Sequence, residues 1–256
     1  MANSQLYPLE VNPRTGEPFL RLKNHKTIII TPPRQEDTAL YPAIMNDPRI
    51  YEWLGSPPSP YTADHAEAWY ARVKATSDGA LKDLEAAQES SDLILVGDCP
   101  VRAIREMKED GTDIFIGDIG IMRSAGGKLM APADADDDQK AKHAEENAAR
   151  KLGDPKIAWT VGYYIIPSYH GRGIMTDALQ TLLWEWAVPR MGVRYIVASA
   201  FEGNEGSLGV FRKNGFVQTR IIENHIETRG QWRNLTVMEW NMPGAEARPN
   251  SDSPDQ

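Results

Sequence analysis

The sequence predicts a mixed α+β fold, in which strands and helices share one chain. Three observations point there. A β-branched and aromatic stretch, Ala158 to Ile166, runs through a tight glycine turn into a long amphipathic helix. A second apolar stretch, Tyr195 to Ala200, follows that helix and reads as a strand buried on both faces. Further strand-like runs come in adjacent pairs joined by short polar turns, one of them carrying Asp110-Gly111.

In chain order, residues 1–19 are polar and proline-containing and read as a flexible arm. Leu20 to Thr31, with Thr27-Ile28-Ile29-Ile30, is a first strand that Pro32-Pro33 ends. Arg34 to Met45 has helical spacing that Pro42 would kink, and Arg49 to Leu54 reads as a short helix. The segment Gly55 to Tyr61 carries too many prolines for regular structure. Thr62 is placed to cap a helix bearing Ala66, Trp69, Tyr70 and Val73. Lys82 to Ser91 is polar and suits either a continuation of that helix or a loop. Val101 to Met107 and Asp113 to Met122 read as a hairpin.

Ser124 to Lys156 stands apart. Its centre, ADADDDQKAKHAEENAAR, has no large apolar residue, so a solvated insertion or short surface helix is expected, in the plainest reading a mobile loop. In the helix that starts near Ile174, two adjacent ridges are apolar: Ile174, Ala178, Leu182 and Trp186 in one, Met175, Leu179, Leu183 and Ala187 in the other. Asp177, Gln180, Thr181 and Glu185 fall on other faces, and Pro189 should end the helix at about Ala187. After the strand Tyr195 to Ala200 a short helix is expected up to Gly215, a left-handed stop, with Phe216 as the first core contact beyond it. Gln218 to Ile226 and Trp232 to Trp240 form a closing hairpin, and 243–256 a polar, disordered tail.

The chemistry concentrates at Ser168-Tyr169-His170-Gly171-Arg172-Gly173. Two glycines let the backbone turn sharply and present the first amides of the helix, a site suited to a phosphate-like anion. The same spacing also serves a simple tight connection between strand and helix. No Lys-Ser or Lys-Thr follows, so this is not a P-loop, and the third glycine of a dinucleotide fingerprint is missing.

Composition narrows the classes. The chain has 256 residues, 41% hydrophobic and 25% charged, as in an ordinary globular protein. A net charge of −8 argues against nucleic acid or an anionic membrane surface as the main partner. A single cysteine, Cys99, rules out an internal disulfide framework and fits a reducing compartment. No apolar run is long enough to cross a bilayer, and the N-terminus has no signal-peptide pattern. The five histidines show no paired ligand spacing, so no metal site is expected.

The stretch YHGRGIMTDAL resembles the acyl-CoA-binding motif of the GNAT superfamily of N-acetyltransferases, in its ribosomal-protein and amino-terminal (RimJ/RimL-like) branch. That motif reads Gln or Arg, two residues, Gly, one residue, Gly or Ala. Gly171 and Gly173 match it, while Ser168 stands in place of the Gln or Arg. A second signature, Asn204 to Phe216, resembles the family's helix that begins at Asn and ends at Gly-Phe. Asn46-Asp47-Pro48, Trp53-Leu54, Pro60-Tyr61-Thr62 and the segment 66–69 resemble the two helices that flank the branch's acceptor site.

The resemblance covers 20–242 as a single domain with an insertion at about 124–156. It implies a mixed, mostly antiparallel sheet, flanked by helices and splayed in a V between its fourth and fifth strands. It implies acetyl transfer from acetyl-CoA, without a metal, to a primary amine of a protein N-terminus or small molecule. The amides of His170, Gly171, Arg172, Gly173, Ile174 and Met175 would bind the pyrophosphate. Tyr164, Ile165 and Ile166 would line the pantetheine, and Asn204 and Phe211 would reach the cofactor from the second signature. Many relatives carry a tyrosine acid where this chain has Phe211, and a glutamate base where it has Thr160. Ser207, with Asn204, is the nominated donor to the sulfur, and Asp118, Glu106 or a water chain could serve as base. A catalytically silent acyl-CoA sensor is the alternative function, and an unrelated anion-binding domain a further one. The expected setting is the cytoplasm or nucleus, as a monomer or homodimer.

Overall fold

The computed structural model describes residues 4–132 and 135–244. All but the first two residues of the expected disordered tail, 243–256, lie outside them. The strands are β1 (Glu10–Val11), β2 (Pro18–Arg21), β3 (Ile28–Thr31), β4 (Ala103–Met107), β5 (Asp113–Arg123), β6 (Ala158–Ile165), β7 (Tyr195–Phe201), β8 (Val217–Thr228) and β9 (Gln231–Asn241). The helices are α1 (Tyr41–Met45), α2 (Pro48–Tyr51), α3 (Ala63–Ala86), α4 (Gly127–Met130), α5 (Asp137–Ala149), α6 (Ile174–Thr181), α7 (Val188–Met191) and α8 (Glu205–Lys213). The fold class is the expected one: a mixed, mostly antiparallel set of strands with helices. The chain divides into two compact units, and β5 and β6 each contribute to both.

The first unit holds residues up to Gly120 and Gly162–Met191. Its strands follow the order β1-β2-β3-β4-β5-β6, and β1 to β5 pair antiparallel. The Ile28-Ile29-Ile30 run is buried on both faces, as a continuous apolar strand must be. Thr62 caps α3 as expected: its Oγ1 accepts from the His65 amide at 3.4 Å, and His65 Nδ1 accepts from the Thr62 amide at 3.1 Å. The helix continues to Ala86 and so takes in the start of the polar stretch. Gly117 is required by close approach, since a Cβ there would lie 2.5 Å from the Tyr164 carbonyl oxygen on β6.

Two expectations change here. Residues 4–19, read as a flexible arm, are packed. Arg190 is buried and donates to the Gln5 carbonyl at 2.6 Å and to the Tyr7 carbonyl, and Gln5 Nε2 reaches the Asp92 carbonyl at 2.9 Å. A buried guanidinium needs acceptors, and this polar segment supplies them. Pro189 does not end the helix at Ala187. A π-helical turn, Leu182–Ala187, leads into α7, so the helix passes through the proline to Met191. The wider π turn accommodates the missing proline N–H and its ring. Asp177 and Thr181, on faces other than the apolar ridges, are buried too.

The second unit holds residues 121–161 and the chain from Gly192. Its strands follow the order β5-β6-β7-β9-β8. The β6–β7 ladder is parallel and comprises Ala158/Tyr195 and Trp159/Ile196, whereas β7 pairs antiparallel with β9 along its whole length. The insertion forms α4 and the surface helix α5, so the expected short surface helix holds and the mobile-loop reading does not. Leu129 and Met130 pack on a core of Ala158, Tyr195, Val197 and Val237, and Arg220 donates to the Leu129 and Ala131 carbonyls at 2.8 and 3.0 Å.

Asn147 fixes the end of α5. It is 3% exposed, its Nδ2 donates to the Ser124 and Ala158 carbonyls at 2.8 and 2.9 Å, and its Oδ1 accepts from the Ala158 amide at 2.7 Å. One side chain thus pairs backbone groups of β6 and of the segment after β5. Replacing Asn147 by Ala leaves these groups buried and unpaired. The expected loss is about 3 kcal/mol, read as a lower urea midpoint at unchanged slope.

Candidate active site

In the first unit, β6 is followed by a 3-10 turn, Pro167–Tyr169, and then by the glycine turn that opens α6. Gly171 and Gly173 have φ of +71° and +75°, a region costly for any residue with a Cβ. Crowding is not the reason for glycine: a Cβ at Gly171 would meet nothing within 4 Å, and at Gly173 only His25 Cε1 at 3.9 Å. Gly173 caps α6 without a side chain, and Asp177 N–H to the Gly173 carbonyl is the first helical bond. The amides before it have no carbonyl one turn back, so the helix offers donors and a positive dipole end at this point.

Side chains brace the turn. His170 Nε2 lies 2.8 Å from the Ile165 carbonyl oxygen, and the Tyr169 hydroxyl donates to Glu106 Oε2 at 2.7 Å. The Arg172 guanidinium stacks 4.7 Å over the Tyr169 ring. Glu106 lies below the usual carboxylate range, chiefly through Lys108 and then Tyr169. A carboxylate held by two donors is a poor proton acceptor, so Glu106 acts as a tether for Tyr169.

The other side of the turn meets the β2–β3 connection. Asp177, 3% exposed, accepts from the backbone amides of Asn24 and His25 at 2.9 and 2.8 Å and from Asn24 Nδ2 at 3.0 Å. His25 Nδ1 lies 2.8 Å from Asp177 Oδ2, and His25 Nε2 lies 3.1 Å from the Arg172 carbonyl oxygen. Sequence reasoning did not find His25 or the role of Asp177. An acid in a first helical turn is ordinary, and its partner is 152 positions away.

Of the expected pantetheine strand, Tyr164, Ile165 and Ile166 sit at the end of β6, and the Ile166 amide donates to the Ile116 carbonyl at 2.8 Å. The Tyr164 ring packs against a core of Tyr41, Met45, Tyr61, Ala66, Ala103 and Phe115, with Trp69 alongside. Its hydroxyl is buried without a hydrogen-bond partner, and burial, followed by nearby Asp118, raises its pKa well above the usual value. Asp118 is buried and bound at both oxygens by Arg102, at 2.7 and 2.8 Å. Arg102 and Arg72 stack on the Trp69 ring at 4.9 and 4.4 Å.

In the second unit, Asn204 caps α8, its Oδ1 accepting from the Ser207 amide at 3.1 Å. The other end of α8 is a complete Schellman stop. The Gly215 amide donates to Arg212 O and the Phe216 amide to Phe211 O, both at 3.1 Å, with Gly215 at φ +84°. The accompanying apolar contact is Phe211 on Phe216, with ring centroids 5.1 Å apart. Phe211 is buried there. Among the described residues no group of three or more His, Cys, Asp or Glu side chains is arranged to hold a metal ion, and no helix is long and apolar enough to cross a membrane.

Comparison with known proteins places the chain in a family. The acetyltransferase (GNAT) domain profile matches residues 27–217. Mycobacterium smegmatis RimJ in complex with CoA-disulfide is 18% identical, with a TM-score of 0.53 over 88% of this chain and 86% of that one. RimL, a ribosomal L7/L12 alpha-N-protein acetyltransferase in complex with coenzyme A, is 13% identical, with a TM-score of 0.56 over 88% and 98%. The Probable N-acetyltransferase YjcK of Bacillus subtilis (strain 168) is 30% identical over 78 residues, which are 30% of this chain and 42% of that protein. The chain spans less than half the length of that curated relative, and the likeness to the two structures is one of fold. The profile match covers most of the sequence, and the chain therefore belongs to the GNAT acetyltransferase family.

Proposed function

We propose that this protein is an N-acetyltransferase that moves the acetyl group of acetyl-CoA to a primary amine, carried by a protein N-terminus or a small molecule. The observation that carries the reading is the pair of positive-φ glycines that opens α6 after β6. In this reading the backbone of His170, Gly171, Arg172, Gly173, Ile174 and Met175 holds the pyrophosphate through amide donors and the helix dipole. The backbone of Tyr164, Ile165 and Ile166 runs beside the pantetheine arm. Asn204, Ser207 and Phe211 carry the second signature on α8. Acetyl-CoA supplies an activated thioester: the amine nitrogen gains the acyl carbon, the sulfur leaves, and one proton passes to solvent. That RimJ and RimL are described as complexes with coenzyme A supports the same assignment.

The side chains limit how the amine can lose its proton. Asp118 is bound at both oxygens by Arg102, and Glu106 is tethered by Lys108 and Tyr169. The two donors on Glu106 Oε2 hold that carboxyl below its usual range, so both carboxylates are committed to ion pairs and the reading assigns deprotonation to water. Asn204 Oδ1 is engaged in the cap of α8, where it accepts from the Ser207 amide, so in this reading Asn204 serves the second signature through its amide nitrogen. One observation favours a second reading, a silent acyl-CoA sensor: Phe211, where many relatives have an acid, is a buried ring with no proton to give.

Thiol release from acetyl-CoA against a panel of amines and N-terminal peptides separates these readings. Release dependent on one acceptor class is expected. Coenzyme binding without release across the panel would favour the sensor, and no binding by folded protein would end the assignment.

Gly173→Ala should weaken coenzyme A binding about tenfold or more while the protein stays folded, measured by calorimetry beside circular dichroism. For Asp118→Asn the expected effect is on stability, a loss of about 3 kcal/mol in urea unfolding, because Arg102 keeps its charge without a partner. Lost turnover at unchanged stability would instead identify Asp118 as a base.

A further inference from the structure

We infer that His25 is a positioning residue for the coenzyme-binding turn, a cationic strap that holds the Arg172 carbonyl from behind through a proton on each ring nitrogen. The inference rests on the coenzyme A reading of that turn. Its ground is the pair of contacts the ring makes. Nδ1 is 2.8 Å from a carboxylate oxygen of Asp177, and Nε2 is 3.1 Å from the backbone oxygen of Arg172. Both partners can only accept, the first as an ionised carboxylate and the second as a carbonyl. Each ring nitrogen must therefore donate, and the ring that does so is the imidazolium cation.

The position gives the cation its consequence. Arg172 lies between the two positive-φ glycines, so its carbonyl orientation and the neighbouring amide planes are set together. A donor on that carbonyl fixes the peptide whose amide faces the other way. His25 is itself locked, because Asp177 also binds the amides of Asn24 and His25. The result is a chain from the β2–β3 connection, through Asp177, to the turn. The ring remains partly open, with a side-chain exposure of 32%. Asp177 on α6 and the Arg172 carbonyl on the turn are the two acceptors it meets, and Lys23 and Lys26 flank it in sequence.

His25→Asn tests the strap, because the shorter amide can still reach Asp177 but not the Arg172 carbonyl. The ligands are coenzyme A and S-acetylpantetheine, which lacks the pyrophosphate, titrated by calorimetry at pH 6. The variant should bind coenzyme A about tenfold more weakly than wild type and bind S-acetylpantetheine as wild type does. Nitrogen NMR of the ligand-free wild type at pH 6 should show hydrogens on both nitrogens of His25. Equal coenzyme A affinity in the two proteins, an equal loss for both ligands, or a neutral His25 ring at pH 6 would each overturn the proposal. If wild type binds no coenzyme A at all, the acetyltransferase reading falls first and the strap with it.

Discussion

The turn from β6 into α6 depends on two backbone dihedrals. With Gly171 and Gly173 at positive φ, the chain turns within a few residues into α6, whose first amides have no carbonyl one turn back. Any side chain at these positions would cost about 1–2 kcal/mol in the left-handed region, enough to favour a different turn. Much of the first unit secures this geometry. Gly117 lets β6 approach β5 closely, Tyr169 is tied to Glu106, and Asp177 binds α6 to the β2–β3 connection. Positioning by packed, hydrogen-bonded elements gives a fixed set of donors without spending a charged side chain on the anion.

Buried polar side chains repeatedly take over work that backbone ladders do elsewhere. Asn147 pairs the amide and carbonyl of Ala158 in the second unit. Arg190 gathers the carbonyls of the N-terminal segment in the first. Arg105 binds Asp37, Thr31 and Asp113 beneath the β3–β4 pair. Each is costly to bury alone and inexpensive once fully paired. This is why segments that look solvated by composition, the N-terminal arm and the 124–156 insertion, are tied down at particular residues while most of their surface stays exposed. Their polar atoms answer polar groups on the body of the same unit.

That pattern also separates what the sequence revealed from what it concealed. Strands and most helices were legible, because Ile28 to Ile30 and the ridges of α6 carry their burial in their own periodicity. The Thr62 cap and the Gly215 stop were legible too, since each needs only residues within one turn. The glycine turn was visible as a possible anion site, but its backbone angles were not. Contacts over long sequence separation left no local trace: His25 with Asp177, Arg190 with Gln5, Asn147 with Ala158. The passage of the helix through Pro189 was misread for a different reason. Val188, the residue before the proline, takes αR angles, which that residue's restriction disfavours without forbidding, and the π turn before it re-routes the hydrogen bonds that an α-helix would lose at Pro189.

Phe211 shows how a local stop can govern chemistry. The Schellman closure of α8 pairs Phe216 N–H with Phe211 O, and the two rings fill the apolar contact that accompanies such a stop. Phe216 in turn packs near Trp240 on β9, so the Phe211 ring belongs to the aromatic core of the second unit. A hydroxyl added to that buried ring would need a hydrogen-bond partner, at a desolvation cost of about 1–3 kcal/mol without one. Phe211 thus serves the aromatic stop of α8 and carries no proton to give. In the proposed reaction, proton transfer then falls to groups with access to water.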